Sequence, residues 1–290
     1  MSIHNVYILP SAHALAWREA WAHAADVQGW RVVHHWDAAP PDIHEGEDTL
    51  VLVSGPMASA LPANKWTVIA PPAASAIVEA IHEQFGSDRA IAIGHAMHCL
   101  AHAADLVQRG ANLVRTTDPI AKSPFGDVIG PRQLPEHAAA EPWPLFDEIL
   151  PRKDVAFVLP LSLFKVPTKT GMEGGTQPID LTGRGRIIFH GPYVELPRGE
   201  WSVRVRFRYD GHGKRSPFRF EWGVGHDVEA IDVVVQEAGD YEIDLFRAWD
   251  QVAMPQLRIW LYHAVFQGQF EVLNVTLFQG RFSAALAVVA

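Results

Sequence analysis

The rhythm of the apolar residues changes partway along the chain, and that change restricts the fold more than any other feature. Over residues 5–116, short apolar runs such as 5–9 (NVYIL) and 49–53 (TLVLV) alternate with stretches at helical spacing. Residues 12–27, for example, place Leu15, Trp17, Trp21 and Ala24 along a helix. From residue 177 the period is two, in short segments separated by turn signals such as Pro197-Arg198-Gly199 and Ala238-Gly239-Asp240. Between these regions proline recurs at 119, 124, 131, 135, 142, 144, 151, 160, 167 and 178. The sequence therefore predicts an α/β domain over 1–120, a proline-rich ordered connector over 121–176 and a β-sandwich over 177–282.

Apolar strands separated by helices imply a mostly parallel sheet covered on both faces, a Rossmann-like or flavodoxin-like layer. Further strands are predicted at 30–36, 66–70, 90–93 and 112–116, with helices at 73–85 and 95–109. No Gly-x-Gly-x-x-Gly fingerprint and no P-loop accompanies them, so dinucleotide binding is unsupported and no cofactor is expected. The net charge of -9 lies in the first half. Residues 1–150 hold 8 Lys+Arg against 17 Asp+Glu, whereas 151–290 hold 16 of each. Neither half is basic, which removes the electrostatic footprint of a nucleic-acid partner. Cys99 is the single cysteine; it excludes an intrachain disulfide and a Cys-based zinc site, and it fits a reducing compartment. No signal peptide is expected, and no apolar run reaches about 18 residues, so no transmembrane segment is expected either. The expected location is the cytoplasm.

Alternation assigns faces in the second half. In residues 201–209, Trp201, Val203, Val205, Phe207 and Tyr209 oppose Arg204, Arg206 and Arg208. In 218–222, Phe218, Phe220 and Trp222 oppose Arg219 and Glu221. In 257–262, Leu257, Ile259 and Leu261 oppose Arg258, Trp260 and Tyr262. Arginine forks and aromatic plates suit sugars and acidic groups, which makes Arg204, Arg206, Arg219, Glu221, Arg258, Trp260 and Tyr262 the candidate glycan-binding face. A solvated sheet face, with arginine stems covering apolar surface, has the same pattern.

The segments 191–207 (GPYVELPRGEWSVRVRF), 237–246 (EAGDYEIDLF) and 270–278 (FEVLNVTLF) together resemble the strand pattern of carbohydrate-binding-module-type jelly rolls. The resemblance covers residues 177–280. Similar sandwiches are appended to bacterial glycan-assembly proteins. It implies an all-β antiparallel sandwich and a glycan ligand, and it assigns no individual sugar-contacting residue.

In open α/β sheets ligands lie beyond the carboxyl ends of the strands. Here those ends carry Ser11, His13, Ser54, Gly55, Gly94 and His95. Gly94-His95 is expected to open a helix, where free backbone N–H groups favour an anion; ordinary strand-to-helix turns look the same. His95, His98 and His102 fall on one helical face beside Cys99, a spacing that could hold zinc. The Glu of a His-Glu-x-x-His motif is missing, so a metal is not favoured. Residues 53–56 (VSGP) are not a Gly-x-Ser-x-Gly elbow, and Cys99 lies within a helix instead of at its start.

The reading that follows is a non-catalytic glycan-binding accessory protein of bacterial polysaccharide biosynthesis. One alternative is a glycosyltransferase-like enzyme using a nucleotide-sugar or phosphorylated substrate in the α/β domain. The other is a protein-interaction module whose acidic half docks a basic partner.

Overall fold

The computed structural model describes residues 1–35, 43–44, 46–54, 65–86, 88–131, 146–147, 150–151, 155–168, 171–211, 216–281 and 287–289. The chain divides into two compact units, Met1–Pro151 and Arg152–Ala290.

The first unit runs β1 (Ile3–Ile8), α1 (Ala14–Val27), β2 (Arg31–His35), β3 (Thr49–Val53), β4 (Trp66–Ala70), α2 (Ala74–Phe85), α3 (Arg89–Gln108) and β5 (Asn112–Arg115). The hairpin β6 (Ile120–Ser123) and β7 (Gly126–Ile129) follows, then the short pair β8 (Phe146–Asp147) and β9 (Leu150–Pro151). Strands β1 to β5 form a parallel sheet in the order β2-β3-β1-β4-β5. That order is neither the 3-2-1-4-5 nor the 2-1-3-4-5 arrangement of the common doubly wound folds.

Apolar runs such as TLVLV become strands buried on both sides because helices cover both faces. Trp17, Trp21 and Ala25, spaced one turn apart on α1, pack on Val6, Ile8, Leu50, Leu52 and Ile69. The β6–β7 hairpin closes the same cluster with Ala121 and Val128. The buried Trp17 indole donates to the Thr116 carbonyl at 3.1 Å. Gly130 lets the hairpin return this closely, since a Cβ there would sit 2.6 Å from the Asp118 carbonyl and 2.8 Å from the Trp17 ring. On the other face, the Tyr7 hydroxyl donates to the Cys99 carbonyl of α3 at 3.3 Å.

Residues 90–93 are not a strand. They are the first turn of α3, which starts one turn earlier than the Ala-Ile alternation suggests. Asp88 caps it by accepting from the Ala90 N–H at 2.7 Å. Alanine is the strongest helix former, and Ala92, Ala96, Met97 and Leu100 bury one helical side, so packing decides against the two-residue period. At 20 residues α3 is also long and apolar enough to cross a membrane by length and composition, although much of it is buried in the fold. The histidines that interrupt its apolar run hid this from the sequence reading.

His4 is buried at the edge of the α1 core. Its ring stacks on Trp21 at 5.8 Å, and Nε2 lies 3.0 Å from the Thr67 hydroxyl. Burial lowers its pKa from 6.5 to about 4. The unfolded chain takes up this proton near pH 6.5 and the native state only near 4, so the stability is complete above 6.5 and declines as pH falls towards 4. The loss at the acid end is roughly 3 kcal/mol. Thermal melts between pH 7 and 4.5 should therefore fall more steeply for the native protein than for His4→Gln. Parallel slopes would show that His4 does not titrate in this way.

The second unit is a sandwich of two antiparallel sheets. Its strands are β10 (Ala156–Leu159), β11 (Lys165–Thr168), β12 (Gly171–Gly174), β13 (Ile179–Asp180), β14 (Arg186–Gly191), β15 (Gly199–Asp210), β16 (Ser216–Val224), β17 (Asp227–Val235), β18 (Gly239–Trp249), β19 (Gln256–Leu261), β20 (Gln269–Gln279) and β21 (Ala287–Val289). One sheet has the order β10-β20-β15-β18-β21, with β13 also on β20; the other is β12-β11-β14-β19-β16-β17. Between them lie the alternating apolar residues of β15, β16 and β19, with Phe207 stacked 4.9 Å from Phe270 and the tilted ring of Phe220 at 5.1 Å.

The proline-rich stretch is not a separate connector. Its first strands, β6 and β7, belong to the α/β unit, and β10, β11 and β12 are strands of the sandwich. Residues 193–196 contribute only a bridge between Leu196 and Ala253. They follow a cis Gly191–Pro192 bond, with Tyr193 at φ 54°.

Candidate functional site

Alternation placed each polar residue outward correctly, but pairing divides the seven candidates between opposite faces of the sandwich. Arg204 and Arg206 stand on β15, whose neighbours are β18 and β20. Their guanidinium groups meet carboxylates on β18, Arg204 directly across and Arg206 on the diagonal. Arg204 binds Asp244 through two parallel bonds of 2.8 and 2.9 Å and lies 3.1 Å from Glu242. Arg206 and Arg208 converge on Asp240 at 3.4 and 2.8 Å. The bond to Asp244 raises the Arg204 pKa, and the bond from Arg208 holds the Asp240 carboxyl below its usual range. This face is a ladder of mutually compensated charges, and it does not join the other five residues.

Those five do come together. Arg219 and Glu221 on β16 lie directly across from Trp260 and Arg258 on β19, and Tyr262 follows at the end of β19. Glu221 is the hub. Its carboxylate sits 2.9 Å from Arg219 Nε and 3.4 Å from Arg258 Nε, and it accepts the Trp260 indole N–H at 3.0 Å. Arg219 also donates to the Tyr262 hydroxyl at 2.7 Å, a bond that raises the arginine's pKa. Arg258 donates to the Gly225 carbonyl at 2.6 Å. Two aromatic rings are thus fixed by charge-assisted bonds on a sheet surface, with Tyr262 43% exposed.

The face continues onto strands beyond the three whose faces alternation assigned. On β14, Ile187 lies across from Trp260 and His190 across from Arg258. On β11, Lys165 lies across from His190. Tyr193, 44% exposed, brings its hydroxyl to 2.6 Å from His190 Nδ1. A register shift between Ile187 and Phe189 buries both Ile188 and Phe189 and breaks the two-residue alternation, so alternation alone does not assign the outward residues of β14. Lys165 escaped notice because its strand lay inside the expected connector.

The α/β candidates separate similarly. Ser11 follows β1, the buried His13 is the N-cap residue of α1, and Ser54 follows β3. Arg18 of α1 donates to the Ser54 hydroxyl, and burial lowers its pKa. Arg18 carries the cation of this edge and was missed, because a lone arginine on an amphipathic helix gives no signal. Gly55 lies outside the described residues. Gly94 and His95 sit in the second turn of α3, where their backbone N–H groups are committed to the helix, so they form no anion-binding helix start. The rings of His98 and His102 meet edge to face at 5.5 Å, whereas His95 is exposed to solvent.

No protein-family model and no curated protein matches this sequence. Among solved structures the chain is similar to TmCBM61 in complex with β-1,4-galactotriose, at 12% identity and a TM-score of 0.28 over 43% of this chain and 88% of that one. It is similar to Family 16 Carbohydrate Binding Module-2 at 16% identity and a TM-score of 0.25, over 40% of this chain and 84% of the other. A rhinovirus-B5 chain is similar at 14% identity and a TM-score of 0.27, over 55% and 88% respectively.

Proposed function

We propose that the protein is a cytoplasmic glycan-binding accessory of bacterial polysaccharide biosynthesis, which holds its ligand on the outer face of the β11-β14-β19-β16 surface of a jelly-roll sandwich and performs no chemistry itself. The observation that carries this reading is the pair Trp260 and Tyr262, locked in place by the Glu221, Arg219 and Arg258 network. The C–H faces of a pyranose pack on aromatic rings, and its hydroxyls take hydrogen bonds from the flanking arginines and donate to carboxylates. Because the network is already bonded, little side-chain freedom is lost on binding. The full chain applied to an oligosaccharide array should bind a small set of related glycans saturably; silence across the array would contradict the proposal.

A second reading, an enzyme that takes a nucleotide-sugar or another phosphorylated substrate, is favoured by one feature. Arg18 reaches Ser54 at the carboxyl edge of the parallel sheet, beside the turn carrying Ser11 and His13. A ligand present at about a hundred times its Kd stabilises the native state by about 2.7 kcal/mol. A panel of nucleoside diphosphates should then raise the melting temperature by a few degrees. An unchanged melt with every nucleotide rejects this reading.

A further inference from the structure

The candidate face is electrically uneven, and the unevenness narrows the ligand. Lys165, His190 and Arg258 occupy directly opposed positions on three successive strands, β11, β14 and β19. With neighbouring strands about 4.8 Å apart, this row spans roughly 10 Å, about the length of a disaccharide. At the β16 end Glu221 balances Arg258, and Asp232 stands 3.8 Å from Arg219. At the β11 end no described residue balances Lys165. Its cross-strand neighbours are His190 and Gly174, neither of them anionic, and among the described residues it forms no ion pair.

His190 adds a directional group there. Burial and the adjacent ammonium both oppose its protonation, so the ring is neutral at pH 7. The Tyr193 hydroxyl hydrogen-bonds Nδ1, and in the tautomer in which that hydroxyl donates, the ring proton lies on Nε2 and can be donated to a ligand. A full positive charge, the His190 imidazole and the exposed Tyr193 ring therefore meet at one end of a surface whose centre carries Trp260.

We propose that the ligand is an acidic glycan, a uronate-bearing oligosaccharide whose carboxylate lies beside Lys165 and the His190–Tyr193 pair while a neighbouring sugar packs on Trp260. This inference rests on the glycan reading of the same face and adds the ligand's charge. The carboxylate satisfies the unbalanced ammonium, and its second oxygen can accept from imidazole.

The test is calorimetric titration of the full chain with oligogalacturonate and with its neutral counterpart, an oligogalactoside of equal length, at low and high salt. The uronate should bind about three- to tenfold tighter, the size expected for one charge-assisted contact at a partly exposed site. That preference should shrink as salt rises. Lys165→Ala should bring the two affinities together, and because Lys165 is exposed, unchanged circular dichroism will show that the variant is folded. Equal affinities for the two sugars, or a preference that survives Lys165→Ala, overturns the acidic-ligand inference and leaves glycan binding standing. Failure of every sugar, acidic or neutral, overturns both.

Discussion

Replacing Phe207 with alanine is expected to destabilise the sandwich by about 3–5 kcal/mol, measured as a fall in its denaturation midpoint. Phe207 is completely buried on β15, a central strand paired on both sides, and its ring meets Phe220, Tyr241 and Phe270 at 5.1, 5.5 and 4.9 Å. Removing it opens a cavity that four strands border, and long paired strands cannot collapse into it. The whole stability of such a domain is about 5–15 kcal/mol, so this one change consumes a large share. Arg206→Ala, one residue earlier and facing outward, should cost less than about 1 kcal/mol, because its pairing with Asp240 is partly exposed. Similar losses for the two variants would mean that the assignment of faces on β15 is wrong.

Trp260→Ala should weaken glycan affinity by about 2 kcal/mol, roughly thirtyfold, while leaving the melting temperature nearly unchanged. The side chain points out of the sheet, so little of the core depends on it. Its ring is the central apolar plate of the face, and the bond to Glu221 fixes its orientation. Trp260→Phe should fall between, keeping a plate but losing the indole N–H. Calorimetry with the best ligand from the array reads the series. An affinity indifferent to Trp260 would move the ligand elsewhere.

What the sequence disclosed and what it withheld follow the range of the interactions involved. The inward and outward sets of β15, β16 and β19 were legible because alternation is a local property of an extended chain. Which strands share a sheet is not local. Arg204 and Arg219 look alike in sequence, yet β15 pairs with β18 and β20 while β16 pairs with β17 and β19. The start of α3 was misread because AIAI satisfies both periods over four residues, and burial further along the helix settles the choice. Pro167 masked β11 as a strand. It is tolerated because β11 registers with β14 only at Lys165, so the missing N–H breaks no bond on that side. Four of the face's residues, Lys165, Ile187, His190 and Tyr193, lay outside the three strands whose faces alternation assigned.

Hydroxyl-radical footprinting with and without saturating glycan tests the ligand face most directly, because it reads the tyrosine and tryptophan side chains themselves. Tyr193, Trp260 and Tyr262 should lose reactivity together when ligand is present. Phe246, on the opposite sheet under Arg281, and Phe266, 81% exposed in the β19–β20 connection, should keep theirs. Protection of Phe246 or of residues in Met1–Pro151, with Trp260 unchanged, would contradict the account.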